Sequence, residues 1–204
     1  MPQTLSSMAQ GNYTQKQRQM MDIIEQEFNS AGYPRSAAAA AIVNAIAESA
    51  LNPAIAGDGG KSVGLFQLHE RGGGKGMSVA QRQDPRLNTR RIIEETRRGQ
   101  GIAFQRAVSA GERDVGKLAG IFAYYVERPA DKDGERDRRA IAARRIFPTQ
   151  IRDFRPSTAS TKPSRGSRGS QGRSDNNEVI FTAGAALLAL VAVAAAAAAA
   201  KGWG

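Results

Sequence analysis

Apolar residues recur at helical spacing through the first three quarters of the chain, and then the pattern changes twice. Met20, Met21, Ile24 and Phe28 share one helical stripe. Thr14 with Gln17 three residues on makes a capping box, so the first predicted helix starts there and ends near Gly32-Tyr33-Pro34. Ser36 is the predicted cap of a second helix, an alanine run carried to Pro53, whose ring blocks continuation. A turn cluster, Gly57-Asp58-Gly59-Gly60, separates it from a short apolar run, Gly64-Leu65-Phe66-Gln67-Leu68. Leu87, Ile92, Ile93 and Thr96 mark a helix capped by Asp84 or Asn88, running to about Arg98 and broken by Gly99 and Gly101. Ile102, Phe104 and Val108 form a short amphipathic segment. Asp114 caps a helix with Leu118, Ile121, Phe122, Tyr125 and Val126 on its buried face and Tyr124 off it; Pro129 ends it. A basic helix, Glu135 to Ile146, closes the periodic part at Phe147-Pro148. Five or six helices and a scrap of sheet predict a mainly α domain with one core.

Beyond it the chain changes character. Arg152 to Asn177 is rich in Ser, Gly, Pro and Arg and nearly free of apolar residues, the composition of a linker. Val179 to Ala200 is apolar except for Thr182; at ~1.5 Å per residue it matches a ~30 Å hydrocarbon core, and Lys201 and Trp203 stand where interface anchors would. The alternative for that stretch is an alanine-rich helix packed on copies of itself. The organisation is therefore an arm over 1–13, a domain over 14–150, a basic linker over 151–178 and an apolar, membrane-compatible segment over 179–204.

Charge and composition narrow the chemistry. The 204 residues carry 29 Lys and Arg against 19 Asp and Glu, a net charge of +10. That favours polyanionic partners: nucleic acid, anionic lipid or wall polymers. There is no cysteine and a single histidine, so neither disulfides nor a structural zinc site is expected, and no cofactor is implied. The first 13 residues lack the charged-then-apolar pattern of a secretory signal. The glycine-rich stretch His69 to Gly76 fails the phosphate-loop pattern, since no Ser or Thr follows Lys75, and is expected to be a mobile loop or lid.

One carboxylate stands out. Glu48 lies near the end of the alanine-rich helix, on a stripe with Ala41, Asn44, Ala45, Leu51 and Asn52. Apolar neighbours and the negative end of the helix dipole both favour its neutral form, which suits a general acid; the alternative is a solvated helical glutamate.

Glu48-Ser49, then Leu51-Asn52-Pro53, Gly57 to Gly60 and Gly64-Leu65-Phe66-Gln67, resembles the core of the lysozyme-like superfamily, most closely the phage tail lysozyme family. Tyr124-Tyr125-Val126-Glu127-Arg128-Pro129 resembles a later stretch of the same family. The resemblance covers roughly Ser36 to Phe147. It implies a fold akin to goose-type lysozymes and lytic transglycosylases, with Glu48 as catalytic acid and the Gly-Leu-x-Gln segment lining a sugar cleft. Ser62, Gln67 and Tyr124 are then substrate-binding candidates, with Asp58, His69 and Glu127 as further ones. Each has a plain alternative: Asp58 as turn former, Gln67 satisfying backbone, His69 as rim hydrogen-bonder, and Glu127 as ion-pair partner of Arg128 or of the next helix.

The resemblance implies cleavage of the β-1,4 bond between N-acetylmuramic acid and N-acetylglucosamine, by hydrolysis or by attack of the muramic 6-hydroxyl. A wall-cutting domain beside a membrane-compatible segment suggests a virion protein of the internal core or tail, delivered to the host periplasm and inner membrane during genome ejection. Its expected partners are peptidoglycan, other virion proteins (core, portal or tail), the host membrane through 179–200, packaged DNA through the linker, and further copies of itself. The competing reading is a structural core or ejection protein whose lysozyme-like domain is idle.

Overall fold

The computed structural model describes residues 3–149 and 151. The basic linker and the apolar stretch 179–200 lie outside the described residues.

Eight α-helices are present among them: α1 (Leu5–Met8), α2 (Gln15–Ser30), α3 (Arg35–Ser49), α4 (Val79–Gln83), α5 (Pro85–Glu95), α6 (Ile102–Ser109), α7 (Val115–Phe122) and α8 (Lys132–Ile146). A small antiparallel sheet, β1 (Ala56–Gly57), β2 (Ser62–Val63) and β3 (Leu68–His69), lies between α3 and α4. Its register pairs Ala56 with Val63 and Ser62 with His69. The mainly helical expectation holds for this part of the chain.

The alanine run makes α3 the centre of the domain. Ala37 to Ala41 are fully buried, and Ile42, Val43 and Ala45 are sealed with them. A helix apolar on every side must be covered on every side; α2, α7 and α8 supply that cover. Methyl side chains let those neighbours approach closely. Asn44 ties the packing in register: fully buried, it donates to the Ala40 carbonyl at 2.9 Å and to the Ala119 carbonyl of α7 at 3.1 Å. An aromatic chain, Phe28–Tyr33–Phe104–Phe122–Phe66, crosses the core with successive ring centroids 5.1–6.1 Å apart.

Several expectations are corrected. Residues 1–13 are not simply an arm: α1 packs on α2, with Leu5 fully buried. The Leu5 amide donates to Glu25 Oε2 at 2.7 Å, and the same carboxylate holds Arg35 at 2.8 Å. Ser36 does not cap α3. Pro34 occupies the cap, and Ser36 lies inside the first turn, sealed, its hydroxyl without a partner. Asp84 caps α5, whereas Asn88 is buried within it. Tyr125 leaves the buried face. After α7 the chain forms a π turn, Ala123–Glu127, closed by the Arg128 amide on the Ala123 carbonyl at 3.0 Å. The wider turn shifts the register, so Val126 is buried and Tyr125 is exposed. The 69–76 stretch is not a free lid. Its turns are closed by hydrogen bonds from Gly72 and Gly74 to the His69 carbonyl, both 2.9 Å, and Arg91 holds the Lys75 carbonyl at 2.9 Å.

Gly120 sets the position of α8. A Cβ there would meet the Arg136 backbone oxygen at 3.0 Å, so α8 rides close on α7. That approach brings the middle of α8 to the end of α3.

Candidate active site

Glu48 and Ser49 end α3, and each faces a different way. Ser49 is buried; its hydroxyl proton lies between the Ala45 and Leu65 carbonyls, both 2.9 Å away. It pins the Gly64-Leu65-Phe66 segment to the helix terminus. Ala50 and Leu51 then take left-handed backbone conformations (φ 50° and 60°), turning the chain sharply away. Asn88 holds the same segment from the other side. It accepts from the Phe66 amide at 3.1 Å and donates to the Val63 and Arg82 carbonyls at 3.2 and 2.7 Å. Gly64 (φ 89°) is obligatory, because a Cβ would overlap the Arg82 carbonyl and the Asn88 amide.

Glu48 has a quarter of its side chain exposed, 25%. Its partner is Arg139 of α8, whose Nη2 donates to Oε1 at 2.7 Å. Arg139 is itself 12% exposed, and its Nη1 is bound to Glu135 one turn earlier. Glu135 also receives Arg138 at 2.8 Å.

Glu127, the last residue of the π turn, completes the group. It is half-buried as a residue, but its Oε1 is sealed from solvent and has no hydrogen-bond partner. Burial pushes its carboxyl well above the ordinary carboxylate range, and the charge of Glu48 pushes the same way; Arg139 and Arg128 oppose without offsetting this. It forms neither ion pair anticipated for it. Arg128 follows in the left-handed region (φ 59°).

The other candidates belong to the hairpin. Ser62 donates to Asp58 Oδ2 at 2.5 Å, locking the turn that Asp58 (φ 50°) initiates. Gln67 (φ 43°) spends its amide nitrogen on the Gly64 and Ile55 carbonyls at 3.0 and 3.3 Å; its Oε1 lies over Gly57, where a Cβ would be 2.6 Å away. His69 Nδ1 accepts from the Arg71 amide at 3.1 Å. Tyr124 is half-buried, its ring tilted at 54° against Tyr125 with centroids 4.7 Å apart, and Lys132 lies 5.3 Å from its ring centroid. Among the described residues, no hydrogen bond or ion pair joins these side chains to Glu48. Ser49, the next residue, ties the Gly64–Phe66 segment to the end of α3.

Sequence reasoning singled out Glu48 and Glu127 but missed Arg139, Glu135 and Asn88. The Glu135–Arg139 spacing is a helical ion pair, a weak signal shared by many solvated helices. Nothing local marks it as facing a residue 91 positions away.

Two cavities flank this region. One of about 240 Å³ lies between the Gly99–Gly101 turn and the π turn, lined by Arg98, Gln100, Tyr125 and Arg128 among others. A larger one, about 520 Å³, opens between the start of α7 and the end of α8 beside Asp114, Arg144 and Phe147, and carries none of the candidate residues. Among the described residues, no group of three or more His, Cys, Asp or Glu is placed to hold a metal ion.

Comparison with curated proteins returned no match, and comparison with solved structures returned none. A family model described as phage tail lysozyme matches residues 18–149, spanning α3 with Glu48, the π turn with Glu127 and α8 with Arg139. The chain therefore belongs to the phage tail lysozyme family, virion-associated proteins that degrade peptidoglycan.

Proposed function

We propose that the chain cleaves the β-1,4 bond between N-acetylmuramic acid and N-acetylglucosamine, with Glu48 as the carboxyl that acts on the glycosidic oxygen. The observation that carries this is the asymmetry of the two neighbouring carboxyls. Glu48 is partly open to solvent and ion-paired to Arg139; Glu127 has one carboxyl oxygen sealed and unpartnered, and burial pushes its carboxyl well above the ordinary carboxylate range. Environments that push paired titratable groups apart are what acid–base chemistry requires.

In the free enzyme Arg139 pairs with Glu48. When a glycan seats against the end of α3, Arg139 keeps its bond to Glu135 and releases Glu48, which takes up a proton and delivers it to the leaving oxygen as the bond to C1 breaks. Burial of Glu127 favours its neutral form, which limits the negative charge at the site at that moment. Water adding at C1 completes a hydrolysis; attack by the muramic 6-hydroxyl gives a 1,6-anhydro product, with Glu48 receiving the proton back. Ser62, Gln67 through its Oε1, and Tyr124 are the proposed groups along the glycan. Mass spectrometry of products from purified sacculi separates the two outcomes, and absence of both products refutes the reading.

The delivery role extends this proposal. The domain acts from the particle during genome ejection, next to other virion proteins and copies of itself. The basic linker meets phosphate, and 179–200 enters the host inner membrane. The sequence pattern supports this part. The Arg139–Glu48 pair also favours one second reading, a lysozyme-like shell whose acid is neutralised and idle. A zymogram with no clearing, from a chain that permeabilises liposomes, selects it.

A further inference from the structure

Arginine grips a carboxylate best with two parallel donors, and the edge that carries Nε and Nη2 supplies them. Two clusters of this fold use that edge in full. Arg90 holds Glu27 with Nε at 2.7 Å and Nη2 at 3.3 Å, and Arg138 holds Glu135 with Nε at 3.0 Å and Nη2 at 2.8 Å. Arg139 does not. Its Nη2 donates to Glu48 Oε1 at 2.7 Å, while the Nε beside it is buried without a partner. An orphaned buried donor is costly, so the half-made grip needs a cause. The third corner of the same guanidinium supplies one: Nη1 is bound to Glu135 Oε2. Glu135 is in turn fixed at its other oxygen by Arg138, which also binds Asp131, the cap of α8, at 2.9 Å. A braced line of charges thus runs from the start of α8 to the end of α3, and Arg139 is divided between two carboxylates.

We infer that Glu135 is a positioning residue for the acid: by holding Nη1 of Arg139 it keeps the clamp on Glu48 half closed, so that Glu48 can let go and take up a proton. The inference rests on Glu48 being the acid of the reaction, and adds what sets the pH range over which that acid works. Without the Glu135 charge, Nε and Nη2 close on both Glu48 oxygens and hold it as a carboxylate, since an opposite charge in contact favours the ionised form. The charged groups that face Glu48 are Arg139 from α8, with Glu135 behind it, and Glu127 from the π turn. Glu127 gives Arg139 no second anchor, because its sealed Oε1 makes no hydrogen bond. Among the described residues the hairpin contributes no ion pair to Glu48. The division of Arg139 therefore depends on Glu135.

The test is the pH dependence of kcat/KM on purified sacculi, for the full chain and for Glu135→Gln, Arg139→Gln and the double variant. The alkaline limb reports loss of the proton from the acid. In Glu135→Gln it is expected to move down by about 1 pH unit, so that the loss of rate grows as pH rises; in Arg139→Gln it moves up. In the double variant it stays within about 0.3 unit of Arg139→Gln, because Glu135 acts through that arginine. A limb unmoved by Glu135→Gln overturns the inference, including the case where the rate falls alike at every pH, which marks a merely structural role. An equal downward shift in the Arg139→Gln background overturns it too. Carbon NMR of the chain labelled at its glutamate carboxyls follows Glu48 directly, its resonance identified by its absence from Glu48→Gln. The same shifts in its titration midpoint, in a chain with no turnover, leave the clamp standing and remove the acid role. Midpoints that coincide in wild type and Glu135→Gln overturn the clamp whether or not sacculi are cleaved.

Discussion

Glu27 and Glu127 are two glutamates with well-sealed carboxyls and arginines nearby, and they respond in opposite directions. Glu27 of α2 is 8% exposed through its side chain and bridges to α5, meeting Arg90 at 2.7 Å and Arg86 at 2.8 Å. The Arg90 hydrogen bond outweighs the burial and holds its carboxyl below the ordinary range, with Arg86 helping. Glu127 has arginines in range as well, yet burial wins and its carboxyl is pushed up. The difference lies in where the guanidiniums spend their bonds. Arg86 and Arg90 point at Glu27. Arg139 is committed to Glu48 and Glu135, and Arg128 makes no bond to Glu127. A through-space cation does not replace a donor in contact. One cluster is a strut between helices. The other leaves a buried oxygen unpaired, a cost that structural carboxylates rarely carry and functional ones often do.

The largest test of that division is catalytic. Glu48→Gln keeps the shape of the α3 terminus and removes the titrating group. It is expected to lower kcat/KM on peptidoglycan by about 10²–10⁴-fold, with a melting temperature lowered by only a few degrees through the lost Arg139 pair. Glu27→Gln, measured alongside, changes turnover less than threefold. Near-equal effects of the two would erase the distinction between strut and site.

The next effect falls on the Gly64–Gln67 segment that Ser49 ties to the end of α3. Asn88→Ala strands the Phe66 amide and the Val63 and Arg82 carbonyls in a fully buried place. The expected loss is about 3 kcal/mol, read as a shifted urea midpoint at constant m-value, since each orphaned group costs about 1–3 kcal/mol and the costs overlap. Turnover falls with it, because Gly64 to Gln67 lose their anchor. Intact stability would mean that Ser49 alone suffices to hold the segment.

What the sequence made visible was local. Thr14 and Asp114 cap their helices as read, and the Met20, Met21, Ile24 and Phe28 stripe is the buried face of α2. Glu48 was found because a lone acid in an alanine helix needs no partner to be noticed. Its partner is not legible there, because Arg139 arrives from α8, through close packing at Gly120 that no periodicity encodes. Tyr125 was misplaced for a related reason: the stripe assumes 3.6 residues per turn, and the π turn inserts one residue into that count. The Ser36 side chain can cap, but Pro34 leads the helix in and leaves Ser36 inside the core. Pattern reports what a residue offers its own neighbourhood. The site is made by contacts between residues tens of positions apart.

The smallest effects carry the sharpest sign. Glu27 has a lowered folded value, so its stabilisation is present above the ordinary carboxylate value of 4.5 and is lost as pH falls through the lowered one. Glu27→Gln should therefore cost about 1–2 kcal/mol at pH 7, a deficit that closes in acid, the size being moderate because both arginines are half-exposed. Glu127 runs the other way. Its folded value is raised above 4.5, so the folded state holds the proton more tightly than the unfolded chain. Its favourable contribution is complete below 4.5 and erodes as pH climbs toward the raised folded value. Glu127→Gln fixes the neutral form and escapes that erosion. Wild type and variant should unfold alike at pH 4, and the variant should be the more stable by on the order of 1 kcal/mol at pH 8. Melting temperatures taken every half unit between those limits trace the divergence. A variant that is less stable at pH 8 would show that the Glu127 carboxylate is stabilised there by a contact, and the contrast with Glu27 would vanish.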